Sequence, residues 1–380
     1  MVILNIQLDN LLLFHDFSMN LSYPKKPVHT PIENETLEGR SNFRYKKLVV
    51  LMGANATGKT ALGKVLLGIF NFITTKEAGR IFPLIDNCML PASFSIDFAF
   101  PDCTLYRIST IIRQKSSIND DYSSDHVAVS VRQVKILRND SYESAAERLS
   151  KTEPVKNDYY GKTLESVPSL SWLFEDPFAS DGRQRPVKPA DPHLYADVLR
   201  ETLQTLDPRI VNVEELPNVK NSYAIFYPHH QVLIQDGSIA TPDKLSSGTK
   251  DGVGIAQIIT GMKLDAYEFY YCDEKFSHVH TELEKSFLST MIDLTGANRQ
   301  LFFTTHNLDV LEMDLPRHSF AFLSRDDTSD HRISCSFASD QLKKNTGSLR
   351  NAVENDLFST VPSTTEVYKL AEPYLGGYPE

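Results

Sequence analysis

A run of four aliphatic residues, Leu48-Val49-Val50-Leu51, leads almost directly into Gly53-Ala54-Asn55-Ala56-Thr57-Gly58-Lys59-Thr60, and no other stretch constrains the chain as strongly. The spacing is G-x-x-x-x-G-K-[ST], the pattern of a phosphate-binding loop, or P-loop. Its glycines reach backbone angles closed to residues with a Cβ, so that N–H groups can turn inward around a phosphate chain. Lys59 can then meet the β- and γ-phosphates, and the Thr60 hydroxyl can hold Mg2+. The segment from Ala61 reads as a helix whose positive end points at the anion. A Gly-rich turn with a stray lysine is the bland alternative, and the strand before and the helix after argue against it. The expected ligand contacts are Gly53, Asn55, Ala56, Thr57, Gly58, Lys59, Thr60 and Ala61. No guanine-reading N-K-x-D motif occurs in the chain, so the expected ligand is ATP with Mg2+.

The 380 residues suffice for one large domain with an insertion, or for two domains. A hydrophobic share of 41% and a charged share of 23% are those of a globular chain that buries a full core. No apolar run reaches the roughly 18 residues of a membrane span. The apolar opening carries Asp9, Asn10, His15 and Asp16 and lacks a basic flank and a small-residue cleavage site, so it is expected to form strands and not a signal peptide. Cys88, Cys103, Cys272 and Cys335 show no C-x-x-C spacing, which disfavours a zinc site or disulfide framework and suits a reducing cytoplasm. A net charge of −10 disfavours a broad nucleic-acid surface but leaves room for a local basic groove.

Alternation predicts strands over residues 3–8 and 17–21, then a polar, Pro-rich loop from Tyr23 through Arg40. Residues 94–100 and 104–108 read as a hairpin, as do 222–227 and 231–235. Between them the texture turns polar and Pro-containing around helix-like pieces such as 190–206. From about Ser247, helix and strand alternate again through Leu323, and a helix is expected within 346–357. The implied division is 1–114, the first part of a P-loop domain; 115–221, a mostly helical insertion; 222–345, the second part of the domain; and 346–380, a tail.

Three later motifs narrow the chemistry. The aromatic strand 267–272 ends in Asp273-Glu274. Beside a P-loop in a parallel sheet, Asp273 can hold Mg2+ directly or through water, and Glu274 can polarise an attacking water. Two solvated acids at a strand end are the alternative. Leu245-Ser246-Ser247-Gly248-Thr249-Lys250 opens a helix with small residues, an arrangement suited to an anion. An ordinary serine N-cap is the alternative. The strand Leu301-Phe302-Phe303-Thr304-Thr305 delivers His306, which taken alone would more often be structural.

In this order and spacing the motifs resemble the ATPase head of the ABC/SMC superfamily. Leu245–Lys250 is similar to its L-S-G-G-Q signature, with Ser247 for the first Gly and Thr249 for Gln. Thr304-Thr305-His306 resembles its switch histidine, which senses the γ-phosphate. Residues 8–17, LDNLLLFHDF, are similar to the I-x-N-F-x-x-F-x-x-F start of RecF/SMC/OLD-type ATPases, and the P-loop to their GxNxSGKS/T form. Residues 273–281 resemble the DE-x-x-x-x-L-H-P segment of bacterial AAA-type ATPase-domain proteins in that group, with Val279 for Leu and Thr281 for Pro. The likeness covers about residues 1–110 and 222–325. It implies an α/β, ABC-type P-loop head: a mixed sheet, a smaller antiparallel sheet and a mostly helical insertion. It further implies two heads sandwiching two ATP molecules. Each site would combine Lys59, with Thr60 and Asp273 for the metal and Glu274 and His306 for catalysis, with Ser246 and Gly248 of the other copy. Gln114 is the candidate Q-loop residue. The insertion lacks the sustained heptads of the SMC coiled coil and is expected to be a short arm or lid.

By this resemblance the chain is expected to be a nucleotide-gated dimeric switch in bacterial antiphage defence of the abortive-infection type. It would act with a separate effector such as a nuclease or toxin. Asp326, Asp327 and Asp330 sit in a Ser/Thr-rich turn with no following hydrophobic strand of the kind a Toprim nuclease needs, and read as a solvated loop. The alternative is a RecF-like DNA-repair or DNA-sensing ATPase using Lys46, Lys47, the run Arg107 to Lys115, and Arg183, Arg185 and Lys188. The net charge counts against it. A transporter's nucleotide-binding subunit is disfavoured by the insertion and by the RecF-like opening, and no membrane partner is expected.

Overall fold

The strand Leu48–Met52 is buried at every residue, as an unbroken aliphatic run requires when both faces of a sheet are covered. In the computed structural model, which describes residues 1–26, 30–175, 191–326, 332–342, 347–360, 367 and 370, this strand lies inside a six-stranded sheet. The order is Ile333–Phe337, Phe320–Arg325, Leu48–Met52, Gln300–Thr304, Phe269–Asp273, Trp172–Glu175. All neighbours run parallel except the edge pair Phe320–Arg325 and Ile333–Phe337. Register then decides where chemistry can collect. Asp273 pairs with Thr304, and Thr304 with Leu51. Gly53, Glu274 and Thr305 therefore leave the sheet at one carboxyl edge, where open parallel sheets bind ligands.

A second, antiparallel sheet has the order Phe17–Asn20, Val2–Asp9, Ala92–Phe100, Thr104–Ile112, Val127–Lys135. The helix Lys59–Thr75 fills the space between the two sheets. Its Phe72 meets Phe94 of the antiparallel sheet, while Phe70 meets both Phe98 there and Phe269 of the parallel sheet. Buried Gln300 ties the first strand on: it accepts from Ile3 N at 2.6 Å and donates to Ile3 O at 2.9 Å. The other face of the parallel sheet is covered by the helices Pro192–Leu206, Ser247–Lys263 and Thr281–Leu294 and by a four-stranded antiparallel sheet, Asn212–Glu215, Ser222–Phe226, Gln231–Gln235, Ser238–Ile239. This is the mixed sheet plus antiparallel sheet expected of an ABC-type head.

Residues 115–221 supply the helices Tyr142–Ser150, Tyr160–Leu164 and Pro192–Leu206, but also three strands. Val127–Lys135 completes the second sheet, Trp172–Glu175 completes the first beside Phe269–Asp273, and Asn212–Glu215 pairs with Ser222–Phe226. The stretch is woven into the head, since two of its strands complete the head's two large sheets. Two other differences concern short strands. The expected loop before Arg40 holds Thr36–Leu37, which pairs with Arg40–Arg44. The turn holding Asp326 is followed by a strand after all, Ile333–Phe337, which returns along Phe320–Arg325. Asp327, Asp330, Arg183, Arg185 and Lys188 lie outside the described residues, as does the tail beyond 360 apart from Val367 and Leu370. Within the expected C-terminal helix, Leu349–Glu354 is helical.

Candidate functional site

The helix Lys59–Thr75 starts at Gly58, whose φ of 99° lies in the left-handed region that suits glycine. No described side chain caps this helix, and its first turn holds no acid. Its leading N–H groups and the positive end of its dipole are thus left for a ligand. Gly53 is required by crowding: a Cβ there would lie 2.6 Å from the Leu323 carbonyl oxygen. The loop encloses a cleft of about 340 Å3 lined by Leu13, Asn55, Ala56, Gly58, Lys59, Thr60, Ala61, Glu274 and His306. Six of the eight expected P-loop contacts are in that lining. The other two, Gly53 and Thr57, sit beneath it, where the Thr57 hydroxyl braces the loop by donating to Ala54 O at 2.8 Å.

Lys59 is buried with its ammonium donating to Gly53 O at 2.9 Å and to Ala54 O at 3.3 Å, and 3.6 Å from Glu274 Oε1. Burial lowers its pKa, and the carboxylates of Glu274 and Asp273 oppose that shift. One hydroxyl sets both acids: Thr304 Oγ1 donates to Asp273 Oδ1 at 2.6 Å and accepts from Glu274 N at 2.9 Å. Glu274 turns out of its strand with φ 48°, a strained backbone for a residue with a Cβ. Its Oε1 lies 2.8 Å from His306 Nε2. That hydrogen bond holds the Glu274 carboxyl below the usual range, with burial opposing and the charges of His306 and Lys59 adding. Tyr271, three residues earlier in the strand Phe269–Asp273, donates its hydroxyl to Lys59 O at 2.7 Å and so braces the start of the P-loop helix.

A family model described as "AAA domain, putative AbiEii toxin, Type IV TA system" matches residues 48–314, from the P-loop strand to beyond His306. The chain belongs to this AAA-domain family. Among solved structures, an SMC head bound to the C-winged helix domain of ScpA shares the fold, with a TM-score of 0.51 at 14% identity, over 93% of this chain and 100% of that one. The SMC head domain from Thermotoga maritima aligns with a TM-score of 0.43 at 13% identity, over 89% and 99% of the two chains. The recombination mediator RecF with ATPrS aligns with a TM-score of 0.43 at 8% identity, over 88% and 98%. No curated protein matches the chain. The chain thus has the fold of an SMC head.

In this AAA-domain protein the residues expected to form the signature stand apart from the cleft. Ser246 caps the helix Ser247–Lys263, its Oγ accepting from Thr249 N at 3.1 Å. A Cβ on Gly248 would lie 2.9 Å from His278 O, so the helix start rests on the loop that follows Glu274. Neither residue lines the cleft, and nor does Gln114, which is exposed after the strand Thr104–Ile112. Among the described residues no cluster of three or more His, Cys, Asp or Glu could hold a metal. Thr60 lines the cleft and Asp273 ends the strand that leads to Glu274; a hydroxyl and a carboxylate are donor types that suit Mg2+, which takes its remaining oxygens from phosphates and water. No described helix is long and apolar enough to cross a membrane.

Three of the basic residues expected to meet DNA, Lys46, Lys47 and Arg107, are engaged within the fold. Lys46 and Lys47 are 4% and 3% exposed. The Lys46 ammonium donates to Asn20 O at 2.6 Å and sits 3.3 Å from the centre of the Phe337 ring; that of Lys47 donates to Glu33 O at 2.7 Å. Arg107 forks onto buried Asp97, with both bonds at 2.7 Å. Thr304 and Tyr271, which set the acids and the P-loop helix, and Leu13, which lines the cleft, went unassigned from sequence. Strand register is what identifies the first two; Leu13 is marked only by lying within the RecF-like opening.

Proposed function

We propose that this protein binds ATP with Mg2+, hydrolyses it, and alternates between single and paired heads as it does so. One observation carries this: Lys59, Glu274 and His306 converge at the uncapped start of the P-loop helix, within 2.8 and 3.6 Å of one another through Glu274. The helix N–H groups bind the phosphates. The Lys59 ammonium, now shared among two carbonyls and Glu274, turns to the β/γ oxygens and leaves Glu274 free. Thr60 and Asp273 hold the Mg2+, which when bound neutralises charge on the phosphates. Ionised Glu274 then orients water for in-line attack, and His306 fixes the carboxylate while meeting the γ-phosphate. In this reading Ser246 and Gly248, which lie outside their own cleft, cover the nucleotide of a second copy.

ATP turnover and nucleotide binding of the full chain test this directly. Lys59→Ala is expected to lose binding. Glu274→Gln keeps binding and loses hydrolysis, and His306→Ala slows turnover with ATP still bound. Wild-type turnover by Glu274→Gln would remove Glu274 from its role.

The family description, naming a putative toxin of a type IV system, favours a role in bacterial antiphage defence; in this reading the protein acts in the cytoplasm with a separate effector, a nuclease or toxin. Phage plating on the protein's own host, with this gene as wild type, as Glu274→Gln or removed, tests it. Protection is expected only with wild type; equal plaque numbers for wild type, variant and deletion would overturn the role.

A further inference from the structure

Glu284 lies in the first turns of the helix Thr281–Leu294 and is 3% exposed. Its Oε1 accepts from Thr305 Oγ1 at 2.6 Å and its Oε2 accepts from Asn307 Nδ2 at 2.7 Å. These two donors flank His306 in the chain. Thr305 Oγ1 also accepts from Asn307 N at 3.0 Å, closing a loop of bonds around the backbone of the histidine. Among the described residues no cation pairs with Glu284. A buried carboxylate satisfied by neutral donors alone costs stability that an apolar residue of similar size would not.

Packing does not supply what those bonds do. A cavity of about 320 Å3 lies against this segment, lined by Glu274, Phe276, Ser277, Glu284, Thr305 and His306 among others. His306 is thus open on that side as well as toward the P-loop cleft, and its 2.8 Å contact with Glu274 is not wedged in place by neighbours. Backbone position is the remaining constraint, and Glu284 sets it from both sides.

We propose that Glu284 is a positioning residue for hydrolysis, holding the switch segment so that His306 reaches Glu274. This rests on the ATPase reading above. The test is a double-mutant cycle on the full chain, reading kcat and KM for ATP. Glu284→Ala is expected to lower kcat about tenfold or more, since small misplacements in such a site carry losses of that order, with KM nearly unchanged. Glu284→Gln keeps most of kcat: its oxygen accepts from Asn307 while its amide donates to Thr305 Oγ1. In a His306→Ala background, Glu284→Ala adds no further loss, because residues acting as one unit are not additive. Asn307→Ala, which removes one bond only, gives an intermediate loss and stands in for Glu284→Ala should that variant not fold.

Full additivity with His306→Ala would overturn the proposal, as would a Glu284→Gln protein as slow as Glu284→Ala, or unchanged turnover in Asn307→Ala. A wild type that binds ATP and never turns it over would overturn the ATPase reading itself. Active wild type with additive losses would overturn the role of Glu284 alone.

Discussion

Gly63 sits one turn into the P-loop helix, where replacing glycine by alanine sets two effects against each other. In a helix interior alanine is favoured over glycine by about 0.5–1 kcal/mol. Here the new Cβ would lie 2.8, 3.1 and 3.2 Å from Cε1, Cζ and Cδ1 of Tyr271. The ring cannot swing clear. It is stacked on Phe174 with centroids 5.4 Å apart, has Phe302 at 5.8 Å, and its hydroxyl is bonded to Lys59 O at 2.7 Å. Overpacking of this kind costs roughly 1–3 kcal/mol, and a lost buried hydrogen bond adds about 1 kcal/mol. The clash wins, and Gly63→Ala is expected to destabilise the protein by about 1–3 kcal/mol. Urea denaturation measures this as a lower midpoint at unchanged slope. Removing the ring should reverse the sign: in a Tyr271→Leu background, Gly63→Ala is expected to stabilise by about 0.5–1 kcal/mol. A stabilising Gly63→Ala in the wild-type background would refute the placement of Tyr271 against the helix, and with it the brace on Lys59.

Other tests address the second copy and the buried charges. Gly248→Val drives a side chain into His278 O, 2.9 Å from where its Cβ would stand; ATP binding should persist while ATP-dependent pairing is lost, read by binding and native mass on one sample. Pairing at wild-type levels would remove the signature from the interface. Burial pushes the Lys46 pKa down to about 8. The unfolded chain, near 10.4, therefore binds more protons than the folded one between those values, so this group's contribution to stability rises with pH from about 8 to about 10. Wild type should gain stability relative to Lys46→Met over that window, and a flat difference would mean that Lys46 keeps an ordinary pKa. For Glu274 the sign is opposite. Its carboxyl is held low, so its stabilising contribution is present above the unfolded value of about 4.3 and is lost as pH falls through its lower folded value. Carbon NMR should find its midpoint below the ordinary range and shifted upward in His306→Ala; an unmoved midpoint would mean that His306 does not hold it.

Much of the head was legible because its signals are local. LVVLM is apolar at every position and buried at every position, and the glycines and lysine of the P-loop follow it without a gap. Strand ends at Asp273 and Thr304 could be read from where aromatic runs stop, and Ser246 from its capping chemistry. What was not legible depends on partners far along the chain. Val127–Lys135 alternates, but its less buried positions include Ser130, Arg132, Gln133 and Lys135, and its partner strand is known only once the first 112 residues have formed a sheet. Trp172–Glu175 is four residues long and pairs with a strand almost a hundred residues later. Lys46 and Lys47 read as surface charge; their stems bring the ammonium groups to backbone carbonyls and an aromatic face inside the fold. Glu284 reads as one of several acids at a helix start, and only the return of the chain at Thr305–Asn307 gives it a task.

Native mass of Glu274→Gln, with and without ATP and Mg2+, tests the paired-head switch most directly, because this variant holds nucleotide without consuming it. A doubling of mass on adding ATP, abolished by Lys59→Ala, is the expected result. A single-copy mass in both conditions, with ATP shown to be bound, would contradict it: the cleft would then be complete within one chain, and Ser246 would be no more than a helix cap.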